Sequence, residues 1–349
     1  MLNVSDITPS TQANSTTEPS RSDAPRVVDH QTHWLPASYL DALAGRRDRP
    51  RARRSSEGYL LETPDGACWK LPPQHTELDE HFADMEAHGV DVMVSSPGII
   101  GEFGGLHGTE LHEAADRLNE ATAAAQHRYP DRFAGLAVLP MAEPELAVKV
   151  LDRAVGELGL RGVCVYSNTG GDTPITLPEL LAVYRRIESL DVPLFLHPST
   201  RSLLFDERLS PVVERGLAWL CDTSVAAASL IVDGVLDACP RLTVVHPHLG
   251  GVLPYAMGRL SASATVMGLE ARPIGDYLRE RFYTDSAGDT PGAFTMAAET
   301  YGADRILFAT DFPFRSRSAM DRKLRDLEDG PARRAGILTN RLPGLRAHT

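Results

Sequence analysis

Short apolar runs recur along the chain at residues 27–29, 90–95, 133–138, 162–165, 193–196, 242–245, 282–284 and 306–309. Within each run the apolar residues are consecutive rather than alternating, the pattern of parallel strands covered on both faces. Between them lie stretches with apolar residues at helical spacing, over 78–88, 111–128, 145–158, 177–189, 225–238, 255–267 and 294–301. His88 and Gly89 close the first of these, histidine suiting the helix C-terminal dipole. Eight strands alternating with helices predict an α/β fold of the (β/α)8 TIM-barrel type. An open doubly wound sheet fits less well, because no GxGxxG follows the first run.

Two segments depart from the alternation. Residues 37–71, between the first strand and its helix, are rich in Arg, Gly and Pro. In a barrel, a βα insertion of this size lies over the C-terminal mouth, so it predicts a cap with a small hairpin through 59–63 and 67–71. Residues 1–25 hold nine Ser and Thr and few large apolar groups. Such a segment buries too little to offset its ordering entropy and predicts a disordered tail, leaving 26–345 as the barrel.

Composition narrows the function classes. Of 349 residues, 42% are hydrophobic and 23% charged, with 35 basic against 47 acidic side chains for a net charge of −12. That balance repels phosphate backbones and disfavours a nucleic-acid partner. Six arginines fall within 46–54. They read as a solvated loop, with substrate-carboxylate binding as the other role. No apolar run reaches the ~18 residues of a membrane span, and no cleavable leader pattern opens the chain. Cys68, Cys164, Cys221 and Cys239 are far apart with no CxxC pair. They read as reduced, packed thiols in a cytoplasmic protein.

The chemistry lies in position. The first strand leads into Asp29-His30-Gln31-Thr32-His33, the fifth into His197-Pro198, the sixth into His246-Pro247-His248-Leu249-Gly250-Gly251 and the eighth into Thr310-Asp311. Strand C-terminal ends are where side chains from distant sequence converge above a barrel core. Imidazole and carboxylate together suit Zn, Fe or Mn. A histidine that merely caps its strand is the bland alternative at any single position, but four strand ends carry the same residue types. Gly250-Gly251 reads as a close backbone approach rather than a phosphate cradle, since no P-loop pattern surrounds it.

The stretches VVDHQTHWLP, DMEAHGVDVMVSSP, RLNEA, RYPDRFAGLAVLP, LGLRGVCVYSN, VPLFLHP, HLGGVLPYAMGRL, FYTDSAG and GADRILFATDFPF appear in that order. From about Arg26 to Arg315 the chain resembles the amidohydrolase superfamily, in its 2-amino-3-carboxymuconate-6-semialdehyde decarboxylase-like branch. The resemblance implies a TIM barrel with one divalent metal, held by an HxH pair after strand one, a His after strand five and an Asp after strand eight. It implies His33, His197 and Asp311 as metal ligands and His248 as acid/base. Lys70, beside Trp69, stands where such decarboxylases use an Arg to hold a substrate carboxylate. The resemblance also implies a homodimer.

The chain departs from that pattern at Gln31, which occupies the first HxH position. An amide oxygen is a weaker ligand than imidazole, and His246 is the candidate supplement, since residues i and i+2 of an extended strand share a face. His33, His197 and Asp311 make the two-His, one-carboxylate set of non-haem Fe(II) oxygenases. Glu102, His107, His112 and Asp116, after the second strand, are candidates for a second ion, with a polar loop and helix start as the plainer reading.

The leading expectation is therefore a metal-dependent decarboxylase of a small carboxylated molecule, suited to secondary metabolism. The metal, anchored by His33, His197 and Asp311, acts as Lewis acid, His248 moves the proton, and Lys70 or an arginine holds a second anion; in a hydrolysis Asp311 is instead the proton acceptor. The alternatives are a non-haem iron or two-iron monooxygenase, hydroxylating a natural-product or CoA-linked acid, and a metal-dependent hydrolase.

Overall fold

Five of the six residues in the first strand, β1 (Val28–His33), are polar, yet all six are buried. The strand therefore extends through the Asp-His-Gln-Thr-His segment that the apolar pattern places beyond it. Most buried polar groups have partners, and Asp29, His30 and Thr32 of β1 find them. Asp29 accepts from the Thr310 backbone N–H at 3.0 Å, His30 Nδ1 lies 3.2 Å from the Phe308 carbonyl, and Thr32 donates to the Val94 carbonyl at 3.0 Å.

The computed structural model describes residues 26–169, 173–204, 208–269, 272–288, 291–315 and 336–345, and the tail expected over 1–25 lies outside them. After β1 come β2 (Arg51–Ser55), β3 (Gly58–Glu62), β4 (Cys68–Leu71), β5 (Val92–Ser96), β6 (Phe133–Val138), β7 (Gly162–Tyr166), β8 (Leu194–His197), β9 (Val244–His246), β10 (Phe282–Asp285) and β11 (Ile306–Leu307). β1 and β5 to β11 form one parallel eight-stranded sheet in chain order. The segment after β11 pairs back on β1. His30 N donates to the Phe308 carbonyl at 2.8 Å, Asp311 N to the Gln31 carbonyl at 2.9 Å and His33 N to the Phe312 carbonyl at 2.8 Å. The sheet thus closes into a (β/α)8 barrel, with helices covering it as the periodicity predicts. The helix Leu78–His88 ends on Gly89 at φ 70°, a left-handed cap that glycine adopts without steric cost.

The insertion folds as a helix, Ala37–Leu43, followed by an antiparallel sheet of order β2-β3-β4. The expected hairpin is present as β3 and β4, and β2 adds a third strand. The arginine-rich segment is therefore not a solvated loop. Arg51 pairs with Glu62 at 2.8 Å, Arg54 with Asp41 at 2.6 Å, and Arg46 with Glu110. Acidic partners outside the run, Asp41, Glu62 and Glu110, hold these charges in place. Exposed pairs of this sort add only about 0–1 kcal/mol each.

One further helix bears on the site. Pro211–Val232 is the single described helix long and apolar enough to cross a membrane by length and composition, with mean hydropathy 1.2, but 44% of that window is buried inside the protein. It contains a π-helical stretch, Glu214–Ala218. π-Bulges of this kind occur frequently at functional sites.

Candidate active site

Three of the residues singled out in the sequence meet at the barrel mouth. His33 ends β1 and His197 ends β8, while Asp311 follows β11. His33 Nε2 lies 3.0 Å from Asp311 Oδ1, and the rings of His33 and His197 meet edge-on with centroids 4.9 Å apart. His197 Nδ1 donates to the Pro198 carbonyl at 2.8 Å. A carbonyl only accepts, so this contact fixes the proton on Nδ1 and leaves the Nε2 lone pair of a neutral ring for a ligand. Burial lowers the His197 pKa to about 3, so the ring is neutral near pH 7. His33 Nδ1 contacts Ser96 Oγ at 3.1 Å, a support that β1–β5 register provides by setting His33 beside Ser96.

Asp311 stays ionised. Burial works to raise its pKa, but the His33 hydrogen bond and the positive-capable His33, His248 and Arg315 hold it well below the usual carboxylate range. Arg315 Nε approaches Asp311 Oδ2 at 3.6 Å.

This donor set fits a divalent ion. Two imidazoles and a carboxylate converge, and Gln31 contributes a buried Oε1 with no hydrogen-bond partner. Leaving such an acceptor unpaired is costly, and a cation would satisfy it. Among the described residues no three His, Cys, Asp or Glu side chains already surround one point at coordination distance. His33 and Asp311, which would flank the ion, bond each other directly.

His248 reaches the same place by a different route. Its Nε2 lies 3.5 Å from Gln31 Nε2 and 4.0 Å from Asp311 Oδ2. β9 stops at His246, and His248 (φ 58°) and Leu249 (φ 57°) are left-handed, as is Asp311 (φ 62°). Non-glycine residues held there cost about 1–3 kcal/mol each and cluster at active sites. Asp285 Oδ1 accepts from the His248 N–H at 2.8 Å and helps hold the turn. Gly250 and Gly251 continue it at φ 79° and 58°. A Cβ on Gly251 would stand 2.6 Å from the Leu220 carbonyl oxygen, so Gly251 serves a close backbone approach, while one on Gly250 would meet the Tyr301 side chain.

Several expected site residues lie elsewhere. His246 contacts Tyr301 Oη at 2.9 Å through Nδ1 and is fully buried, and it does not line the cavity on which His248 opens. The i, i+2 argument fails because the left-handed turn, not an extended strand, separates it from His248. Lys70 is exposed, whereas its neighbour Trp69 turns into the cavity, as pleating requires of adjacent strand residues. The second-ion candidates do not assemble. Glu102 is buried and accepts from Thr200 N at 2.8 Å, while His107 and His112 are exposed and His112 pairs with Asp116 at 3.4 Å.

His197, His248 and Asp311 open onto a cavity of about 610 Å³ that Trp69, Trp219, Arg215, Phe314 and Arg315 also line. The sequence reading assigned no role to any of these five as a lining residue. Phe314 and Arg315 follow Asp311 closely enough to have been found. Trp219 and Arg215 carry no signal before the helix is placed.

Comparisons with known proteins agree with the barrel fold and place the chain among decarboxylases. Gamma-resorcylate decarboxylase of Rhizobium radiobacter is 33% identical over 287 residues, covering 76% of this chain and 85% of that protein. The 2-amino-3-carboxymuconate-6-semialdehyde decarboxylase of Dictyostelium discoideum is 27% identical over 277 residues, or 76% and 72% of the two chains. A crystal structure of dihydroxybenzoic acid decarboxylase from Polaromonas, with manganese and 2-nitroresorcinol bound, superposes with a TM-score of 0.70 at 26% identity, covering 90% of this chain and 95% of that one. All three of these proteins are decarboxylases by name, and the Polaromonas structure holds manganese. The family model described as Amidohydrolase matches residues 28–340, from β1 to beyond the described Asp311 loop, and the chain belongs to that family.

Proposed function

We propose that the protein is a metal-dependent decarboxylase of a hydroxylated aromatic acid. The observation that carries this reading is the convergence of His33, His197, Asp311 and His248 from four separate strand ends, with His197, Asp311 and His248 lining one cavity and His33 bonded to Asp311 behind it. His33, His197, Asp311 and Gln31 would hold one divalent ion. The harder character of a set with one amide and one carboxylate oxygen favours manganese over zinc. When bound, the ion supplies Lewis-acid polarisation of substrate oxygens.

The chain's own groups do the rest. Loss of CO2 exchanges a carbon–carbon bond for a carbon–hydrogen bond, so one proton must reach the ring carbon that carried the carboxylate. A phenolic hydroxyl beside that carbon lets the ring take up the proton before CO2 leaves. His248, facing the cavity at 4.0 Å from ionised Asp311, is placed to deliver that proton. Arg315 lies where it can hold an anionic oxygen beside Asp311. The Phe314 ring stands 5.3 Å from that of His33 and shields that ligand from bulk water.

Residues 26–345 act as one catalytic unit in this reading, with 37–71 as its cap. The four free cysteines, two of them buried, suit a reducing cytoplasm. Exposed Tyr255, Val266 and Met267 on the helix Leu253–Met267 offer an apolar face for the homodimer.

The test is incubation of the manganese-loaded protein with ortho-hydroxylated benzoic acids in D2O, following CO2, phenol and dissolved oxygen. CO2 release with one deuterium on the former carboxyl carbon and no oxygen uptake supports the reading. Oxygen consumption with a hydroxylated product favours the iron oxygenase instead.

A further inference from the structure

The cavity is larger than a single substituted benzene ring requires. Its volume of about 610 Å³ lies in the range that accepts drug-sized ligands, ~300–1,000 Å³. One wall is aromatic and continuous. The Phe314 ring, already against His33, meets Trp69 with centroids 5.9 Å apart, and Trp69 meets Trp219 at 6.3 Å with planes only 16° apart. The Arg215 guanidinium lies over the Trp69 ring, 3.9 Å from its centroid.

Hydrogen bonding does not explain this arrangement, because neither the Trp69 nor the Trp219 indole N–H has an acceptor. The two rings come from unrelated elements, β4 of the cap and the helix that follows the π-helical stretch. What they share is a pair of nearly parallel faces, the two indoles being stacked. The same helical segment carries exposed Val212, Val213 and Leu217, so the apolar surface runs on from this wall to the outside.

We propose that Trp69, Trp219 and Arg215 form a subsite for a second aromatic ring of the substrate. The acid would be a hydroxylated benzoate whose scissile carboxylate sits by Asp311 and His248 and whose side arm ends in a second ring. That ring lies along the indoles, where offset stacking is favourable. Arg215 contributes its cationic plane and a donor for an oxygen on the ring edge. The inference rests on the decarboxylase reading for its reactive end only.

Two probes test it. 2,6-Dihydroxybenzoate fills the reactive end alone, whereas 2,4-dihydroxy-6-[2-(4-hydroxyphenyl)ethyl]benzoate reaches the indoles as well. The expected ratio of kcat/KM, two-ring over one-ring acid, is about tenfold or more, and Trp219→Leu and Arg215→Ala each lower that ratio severalfold. Binding is read separately from turnover by tryptophan fluorescence titration with the two phenols that decarboxylation would yield. The two-ring phenol should bind about tenfold more tightly than resorcinol, with the difference reduced in Trp219→Leu. Equal binding of the two phenols, or a ratio unmoved by both substitutions, overturns the subsite. If neither acid releases CO2 while the phenols still differ in affinity, the subsite stands and the decarboxylase reading falls.

Discussion

The mouth of the barrel and the loop after its second strand, β5, carry the same kinds of residue and come to opposite ends. His33, His197 and Asp311 gather within hydrogen-bond and ring-contact distance, whereas Glu102, His107, His112 and Asp116 disperse. The difference is in what carries them. The first set sits at or just beyond strand ends, and barrel closure forces those ends around one axis. The second set lies on a loop and on the helix Gly108–Arg128, where exposed His112 pairs with half-buried Asp116 four positions on, and Asp116 also pairs with Arg153. Metal-capable residue types are thus weak evidence, and their attachment to a converging frame is strong evidence.

The largest effects should come from the converging set. His197→Ala or Asp311→Ala should lower bound metal and CO2 release by more than about a hundredfold, beyond the loss caused by removing a supporting group. Elemental analysis and a CO2 assay measure both, and near-normal values in either variant would break the contrast. His248→Asn should reduce kcat by about 10²–10⁴-fold with metal content retained, separating proton delivery from metal binding.

Gln31→His should strengthen metal retention by about tenfold in a chelator competition, because imidazole is the better ligand. Unchanged retention would remove Gln31 from the ion's surroundings and leave its unpartnered Oε1 without a role. The smallest effect is expected at the loop. His107→Ala and His112→Ala should change activity by less than about twofold and stability by no more than ~0.5 kcal/mol. Loss of metal in either would return a second ion to consideration.

The same contrast separates what could be read early from what could not. The strand and helix order, the closed barrel and the three-residue cluster follow from runs of apolar residues ending in His or Asp, because a parallel barrel puts every such end at one mouth. The hairpin of the cap was legible too, although its third strand was hidden in a run of six arginines, of which Arg46, Arg51 and Arg54 pair with Glu110, Glu62 and Asp41 outside that run. Trp219 and Arg215 were invisible as cavity residues, since nothing in a helical periodicity says which helix overhangs the mouth.

By itself, then, the sequence determined which residues stand at the ends of strands, because hydrophobic period and length decide where each strand lies. Only the tertiary structure decided where the side chains point. His248 rather than His246 faces the cavity because four successive positive-φ residues replace the extended strand after His246. Trp69 rather than Lys70 turns inward because β4 pairs with β3 in a register that buries one side of its pleat. A one-residue change of direction costs little in pattern and reverses the chemistry presented, so such choices are made only when the elements pack.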